Sequence, residues 1–167
     1  MLDNIRAHSL KVAHVATWVA EKAVLNMPSI DVQTIRASAL LHDISKTYSI
    51  RFGGNHAQSG AVWALKETGN PAIAQGVYHH VFWPYPVDLH KYFLPLCVLY
   101  ADKRVAHDSI VNINSRFHDL LKRYGKTEEI RQRITVTHEQ VVEVENALQI
   151  ITGEEIHENS FDSGRLV

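Results

Sequence analysis

Apolar residues recur at helical spacing along nearly the whole 167-residue chain, and no stretch alternates as a strand would. Ile5, Val12, Val15, Ala16 and Val19 share one face of a first helix, expected over about residues 4–26. Pro28-Ser29 breaks it, and a second helix is expected from about residue 31 through Lys46. Asn55 caps a third, reaching about Thr68; Gly69-Asn70-Pro71 ends that one and opens a fourth with Pro71 in its first turn. Trp83-Pro84-Tyr85-Pro86 cannot be helical, because each proline restrains its predecessor. Pro95 suits the first turn of a fifth helix running to about His107, and Asn112–Tyr124 reads as a sixth closed by Gly125. Thr127 onward is helical again, and Thr137 with Gln140 forms a capping box opening a last helix to about Thr152. From Gly153 the tail reads as polar and loose. The expectation is one all-α domain over residues 1–152, a bundle of about six to eight helices, with 153–167 as a C-terminal tail.

Composition narrows the function. A net charge of −1 points neither to nucleic acid nor to an anionic membrane. The single cysteine, Cys97, excludes an intramolecular disulfide and a cysteine-based zinc site; in Leu94-Pro95-Leu96-Cys97-Val98-Leu99 it reads as an inert core thiol. No stretch approaches the ~20 apolar residues of a membrane span, and Met1–Arg6 lacks a signal-peptide profile, so a cytoplasmic protein is expected. The unusual figure is eleven histidines, since histidine is the commonest metal ligand and the usual acid/base group near neutrality.

Their placement carries the chemistry. Leu40-Leu41-His42-Asp43-Ile44-Ser45-Lys46 sets an imidazole beside a carboxylate in an apolar run, which is costly unless something compensates both; a divalent metal does so. His8 lies on the apolar stripe of the first helix, where a core histidine bonded to a carbonyl is the competing reading. Asp102 continues the stripe Leu94, Val98, and its competing reading is a buried salt bridge to Lys103, Arg104 or Lys46. His56 opens the third helix, and Gly60 and Ala64 at one-turn spacing let a neighbouring helix approach. His79 and His80, about 100° apart on a helix, reach one metal only near a helix end, where the proline-broken segment places it. His14, His90, His107, His118, His138 and His157 read as surface residues.

The order His8, His42-Asp43, Asp102 resembles the HD-domain superfamily of metal-dependent phosphohydrolases, and HDISK is similar to its HD-Ile-Gly-Lys variant with Ser45 in place of glycine. His56 and the His79-His80 pair resemble the extra ligands of its dinuclear members. The likeness covers about residues 4–107, followed by C-terminal helices over about 112–152. It implies an HD-type bundle with two metal sites sharing Asp43: one held with His8, His42 and Asp102, the other with His56, His79 and His80. Iron or manganese suits such mixed donors, with zinc, nickel, cobalt or magnesium as alternatives.

Two metals ~3.5–4 Å apart would yield hydroxide from a bridging water at neutral pH and clamp a phosphate oxygen. With Asp43 as bridge, Lys46 is a phosphate-binding cation or general acid, against a surface lysine at a helix end. Lys103 and Arg104 read as a solvated face, with contact to an anionic substrate as the competing reading, and Arg116, Phe117, Leu120 and Leu121 as a packing or dimer surface. The aromatics of Phe82-Trp83-Pro84-Tyr85-Pro86 either stack on a nucleobase or pack on the core, and the run lacks the Gly-Tyr-Pro signature of HD-GYP phosphodiesterases. The expected function is hydrolysis of a phosphoester or phosphoanhydride in a small phosphorylated molecule, a nucleotide, with no membrane partner, nucleic acid disfavoured and homo-oligomerisation left open. A di-iron oxygenase and a non-catalytic metal-binding signalling module are the competing readings.

Overall fold

The computed structural model describes residues 1–161 and is almost entirely helical. Eight α-helices follow in order: α1 (Asp3–Ala23), α2 (Val32–Leu41), α3 (Lys46–Phe52), α4 (His56–Thr68), α5 (Pro71–His79), α6 (Leu89–Lys103), α7 (Ile113–Tyr124) and α8 (Glu128–Thr152). The one sheet among the described residues is a two-residue hairpin, β1 (Val105–Ala106) against antiparallel β2 (Ser109–Ile110). No described helix is long and apolar enough to cross a membrane.

Short polar side chains start these helices. Asp31, Asn55, Asn70, Asp88, Asn112 and Thr127 each accept one or two of the otherwise unpaired first-turn N–H groups. Gly69 and Gly153 close α4 and α8 in the left-handed conformation. The main core joins Val12, Val15 and Val19 of α1 to Leu96, Leu99 and Tyr100 of α6 and to Val141, Val144 and Leu148 of α8. Cys97 is buried there as expected, its thiol pushed up to about 12 by burial. Ala61 and Ala64 of α4 meet Ile73 and Val77 of α5 in a smaller cluster.

Four local expectations need correction. The second helix stops at Leu41, and His42–Ser45 form a turn before α3, because the His42 ring takes over the Ala39 carbonyl that an amide in the next turn would otherwise use. α6 begins earlier than expected, at Leu89 under the Asp88 cap, but its backbone leaves helical geometry at Tyr92 (φ −127°, ψ 37°), so that Pro95 falls in the first turn of the segment after the kink. Thr137 opens no new helix: it is buried within the 25-residue α8 and satisfies its hydroxyl on the Arg133 carbonyl. Part of the tail is docked, with Ile156 and Phe161 buried, Phe161 edge-on to Trp18, and the His14 ring donating to the Phe161 carbonyl at 2.7 Å. Residues 162–167 of the expected tail lie outside the described residues.

Candidate metal centre

Four helix ends, one helix face and the turn that holds Asp43 deliver the donors. His42 and His80 are the C-cap residues of α2 and α5, and each ring donates Nδ1–H to the carbonyl three residues earlier, Ala39 at 2.7 Å and Val77 at 2.6 Å. His8, on the buried face of α1, donates Nδ1–H to the His107 carbonyl at 2.8 Å. His107 holds that carbonyl in place from a backbone with φ 58°, a left-handed conformation in the tight β1–β2 turn. His56 enters at the first turn of α4, and Asp102 from the last turn of α6.

Because a carbonyl only accepts, the Nδ1 proton fixes the neutral tautomer of three rings and leaves each Nε2 as a lone pair facing inward. His8 Nε2 stands 3.0 Å from Asp102 Oδ1; His42 Nε2 is 3.5 Å from Asp43 Oδ2 and 3.8 Å from Asp102 Oδ1. On the other side of Asp43, Oδ1 lies 3.4 Å from His56 Nε2 and 3.5 Å from His80 Nε2, and those two nitrogens are 3.2 Å apart. His42 Nε2 and Asp43 Oδ1 are buried with no hydrogen-bond partner. Lone pairs converging in this way repel unless a cation lies between them. Two donors each about 2.1 Å from one ion stand roughly 3.0–3.4 Å apart, so these separations fit shared coordination. The donors form two groups, His8-His42-Asp43 and Asp43-His56-His80, with Asp43 in both and Asp102 adjoining the first.

The second oxygens of both carboxylates meet lysines. Lys46 Nζ is 2.7 Å from Asp43 Oδ2, and Lys103 Nζ is 2.5 Å from Asp102 Oδ2 while also donating to the His80 carbonyl at 3.0 Å. The salt-bridge reading of Asp102 is therefore correct for Oδ2, and Oδ1 is left to the imidazoles. Lys103 and Arg104 are not a solvated face: both are buried, with Arg104 turned away to Tyr100, Glu145 and the Val111 carbonyl. Ser45, which departs from the glycine of the HD-Ile-Gly-Lys pattern, donates to the His56 carbonyl at 2.7 Å and pairs with Ser59 at 2.9 Å, tying the turn to the start of α4. Gly60 lets α4 close on α5, since a Cβ there would stand 3.2 Å from Val77.

Burial and charge act in opposition across the cluster. Burial opposes charge on Asp43, but His42, His80 and Lys46 outweigh it and hold its carboxyl far below the usual range. Asp102 behaves likewise, with Lys103 and then His8 outweighing burial. Burial, followed by the neighbouring His80, lowers His56 to about 4, and burial lowers His80 too. His42 is raised, because Asp43 and then Asp102 outweigh its burial. The two carboxylates thus demand positive charge at His42 Nε2, one of the two cluster atoms without a partner.

His79 is not among the converging donors. It is the last residue of α5, and its ring lies edge-on to Trp83 and Tyr78, one helical step (~100°) away from His80. Trp83 is buried and its carbonyl is held by Gln140, so this aromatic packs on the protein's own core, while Tyr85 is exposed. His79→Ala is expected to retain the metal content of the wild type and His80→Ala to lose one equivalent, as read by elemental analysis; the reverse would place the centre on the wrong ring.

The HD domain family model matches residues 5–92, more than half of the chain, and the chain belongs to that family of metal-dependent phosphohydrolases. Curated relatives include ribonuclease Y of Campylobacter curvus, 32% identical over 78 residues (47% of this chain, 14% of the relative). Ribonuclease Y of Protochlamydia amoebophila is 30% identical over 88 residues (52% of this chain, 16% of the relative). The chain thus spans about a seventh of the length of these relatives. No solved structure matches. Asp102 lies beyond the matched residues, and its place beside His8 comes from the geometry.

Proposed function

We propose that the chain hydrolyses a phosphoester or phosphoanhydride of a nucleotide at a two-metal centre, with His8, His42, Asp43 and Asp102 holding one ion and Asp43, His56 and His80 the other. The observation that carries this reading is the pair of orphaned buried atoms, His42 Nε2 and Asp43 Oδ1, one in each half of a cluster that shares Asp43. When bound, the ions supply an acidified water and Lewis-acid polarisation of the phosphoryl oxygens.

The chain's own groups do the rest. A cleft of about 450 Å³ opens onto His56, His80 and Asp102, lined by Lys46, Lys103, Arg116 and Arg133 and walled by Phe117, Leu120, Ile130 and Ile134. The cations attract and orient the phosphates, and the apolar wall suits the organic part of a nucleotide and excludes water from the reacting end. Lys46 is a fixed cation rather than a proton donor: burial opposes its charge, but Asp43 and Asp102 outweigh that and raise its pKa. In the reaction a water oxygen bonds to phosphorus, the bond from phosphorus to the leaving oxygen breaks, and a proton passes to that oxygen.

The relatives' name brings an RNA phosphodiester in as a second substrate reading. A net charge of −1 favours a single nucleotide over a strand. The test is elemental analysis of protein purified without added metal, followed by manganese reconstitution and hydrolysis of nucleoside mono-, di- and triphosphates, dinucleoside polyphosphates and a short oligoribonucleotide. Two equivalents of metal per chain and turnover of a mononucleotide class are expected. Metal-free, inert protein would overturn the reading, and turnover confined to the oligoribonucleotide would replace the substrate.

A further inference from the structure

Arg116 of α7 is the anomaly of the cleft. Its side chain is 11% exposed and its Nε is buried without a hydrogen-bond partner. Its nearest carboxylates are Asp119 Oδ2, 3.5 Å from NH1, and Asp102 Oδ1, 3.9 Å from NH2, both beyond the 2.7–3.2 Å of a normal N–H···O bond. Arg123 engages the other oxygen of Asp119, Oδ1, at 2.9 Å, and Oδ2, which faces Arg116, is buried without a hydrogen-bond partner. Arg116 is therefore parked between two acids and bonded well to neither, an arrangement that is costly for five N–H donors unless something else takes them.

The side chain is aimed by its helix. Ile113 and Phe117 bury one face of α7, and Arg116, beside Phe117, projects over Asp102 into the cleft. A metal cannot satisfy this guanidinium, since a divalent ion drawing on Asp102 Oδ1 repels it. The species that both attract is an anion with oxygens on two sides. Among the described residues lining the cleft, Asp102 is the only carboxylate, against the cations Lys46, Lys103, Arg116 and Arg133. Arg133 lies over the Phe82 ring at 5.6 Å, on the α8 side of the same cleft.

We propose that Arg116 is a catalytic residue that binds a non-bridging oxygen of the phosphoryl group under attack, and that the α7–α8 wall beside it selects the nucleotide; this rests on the hydrolase reading above. Its planar fork bridges two oxygens of one phosphate, a geometry that a lysine does not reproduce. Residues 113–137 lie wholly outside the part of the chain matched by the family model, so this half of the site belongs to the C-terminal helices.

The test compares wild type, Arg116→Gln and Arg116→Lys after manganese reconstitution, using inorganic phosphate as the binding probe in calorimetry and p-nitrophenyl phosphate as the ester. Both variants are expected to keep the metal content and helical circular-dichroism signal of the wild type. Arg116→Gln should bind phosphate at least about tenfold more weakly and lose roughly 10²-fold in kcat, with Arg116→Lys recovering part of the binding and less of the rate. Phosphate binding by Arg116→Gln within twofold of wild type overturns the assignment, as does equal ester hydrolysis by the two proteins. Wild type inert on every phosphate compound, with phosphate binding still dependent on Arg116, overturns the hydrolase reading and supports the anion site.

Discussion

Asp43→Asn is expected to remove both metal equivalents and to lower hydrolysis by about 10³-fold or more, the scale of losing charge placed at a developing transition state. The reason is connectivity: Oδ2 faces His42 and Oδ1 faces both His56 and His80. Every other donor serves one group only, so His56→Ala or His80→Ala should cost a single equivalent. Elemental analysis of the three variants side by side checks this, with circular dichroism confirming that α2 and α5 persist. One equivalent retained by Asp43→Asn would show that the two groups are independent.

The second large effect is on folding. Gly76→Ala would place a Cβ 2.2 Å from Ser38 Oγ and 2.7 Å from Leu94 Cδ2, where α5 crosses α2 and α6. Ser38 is fully buried and its hydroxyl is spent on the Ile73 carbonyl at 3.0 Å, so turning it aside breaks that bond. Overpacking of this kind costs about 3 kcal/mol, a fall of roughly 6–12 °C in Tm for a chain of this size. Because α5 carries His80, metal affinity should fall with it. Thermal melts of metal-free and metal-loaded protein separate the two effects, and a Tm within about 2 °C of wild type would mean that the helices are not held that close.

Much of this was legible in the chain, for physical reasons that can be named. Helix starts were readable where a short polar side chain precedes an apolar period, as at Asn55 and Asn70, and the Gly60 approach followed from its small size. His8 and Asp102 stood out because each interrupts an apolar stripe. The rest depended on distance through space. Lys103 reads as a solvent-facing neighbour of Asp102, since nothing local says that the His80 carbonyl will meet it. His79 and His80 are adjacent in the chain, and only the point at which α5 stops decides which ring turns inward. Arg116 lies on an amphipathic helix that would read the same at a dimer surface; its closeness to Asp102 comes from how α7 and α8 fold back over α6.

The histidine caps of α2 and α5 have a consequence for how such a chain tolerates length changes. Each helix ends where an imidazole proton satisfies a carbonyl, so the same proton that terminates the helix also chooses the nitrogen presented to the centre. Adding one residue within either helix would swing the ring by about 100° and free the wrong nitrogen, undoing helix end and donor together. Insertions are tolerable in the connection between Ala23 and Val32, where no ring is indexed to a turn, but not between His80 and Leu89, where buried Trp83 donates to the Pro86 carbonyl.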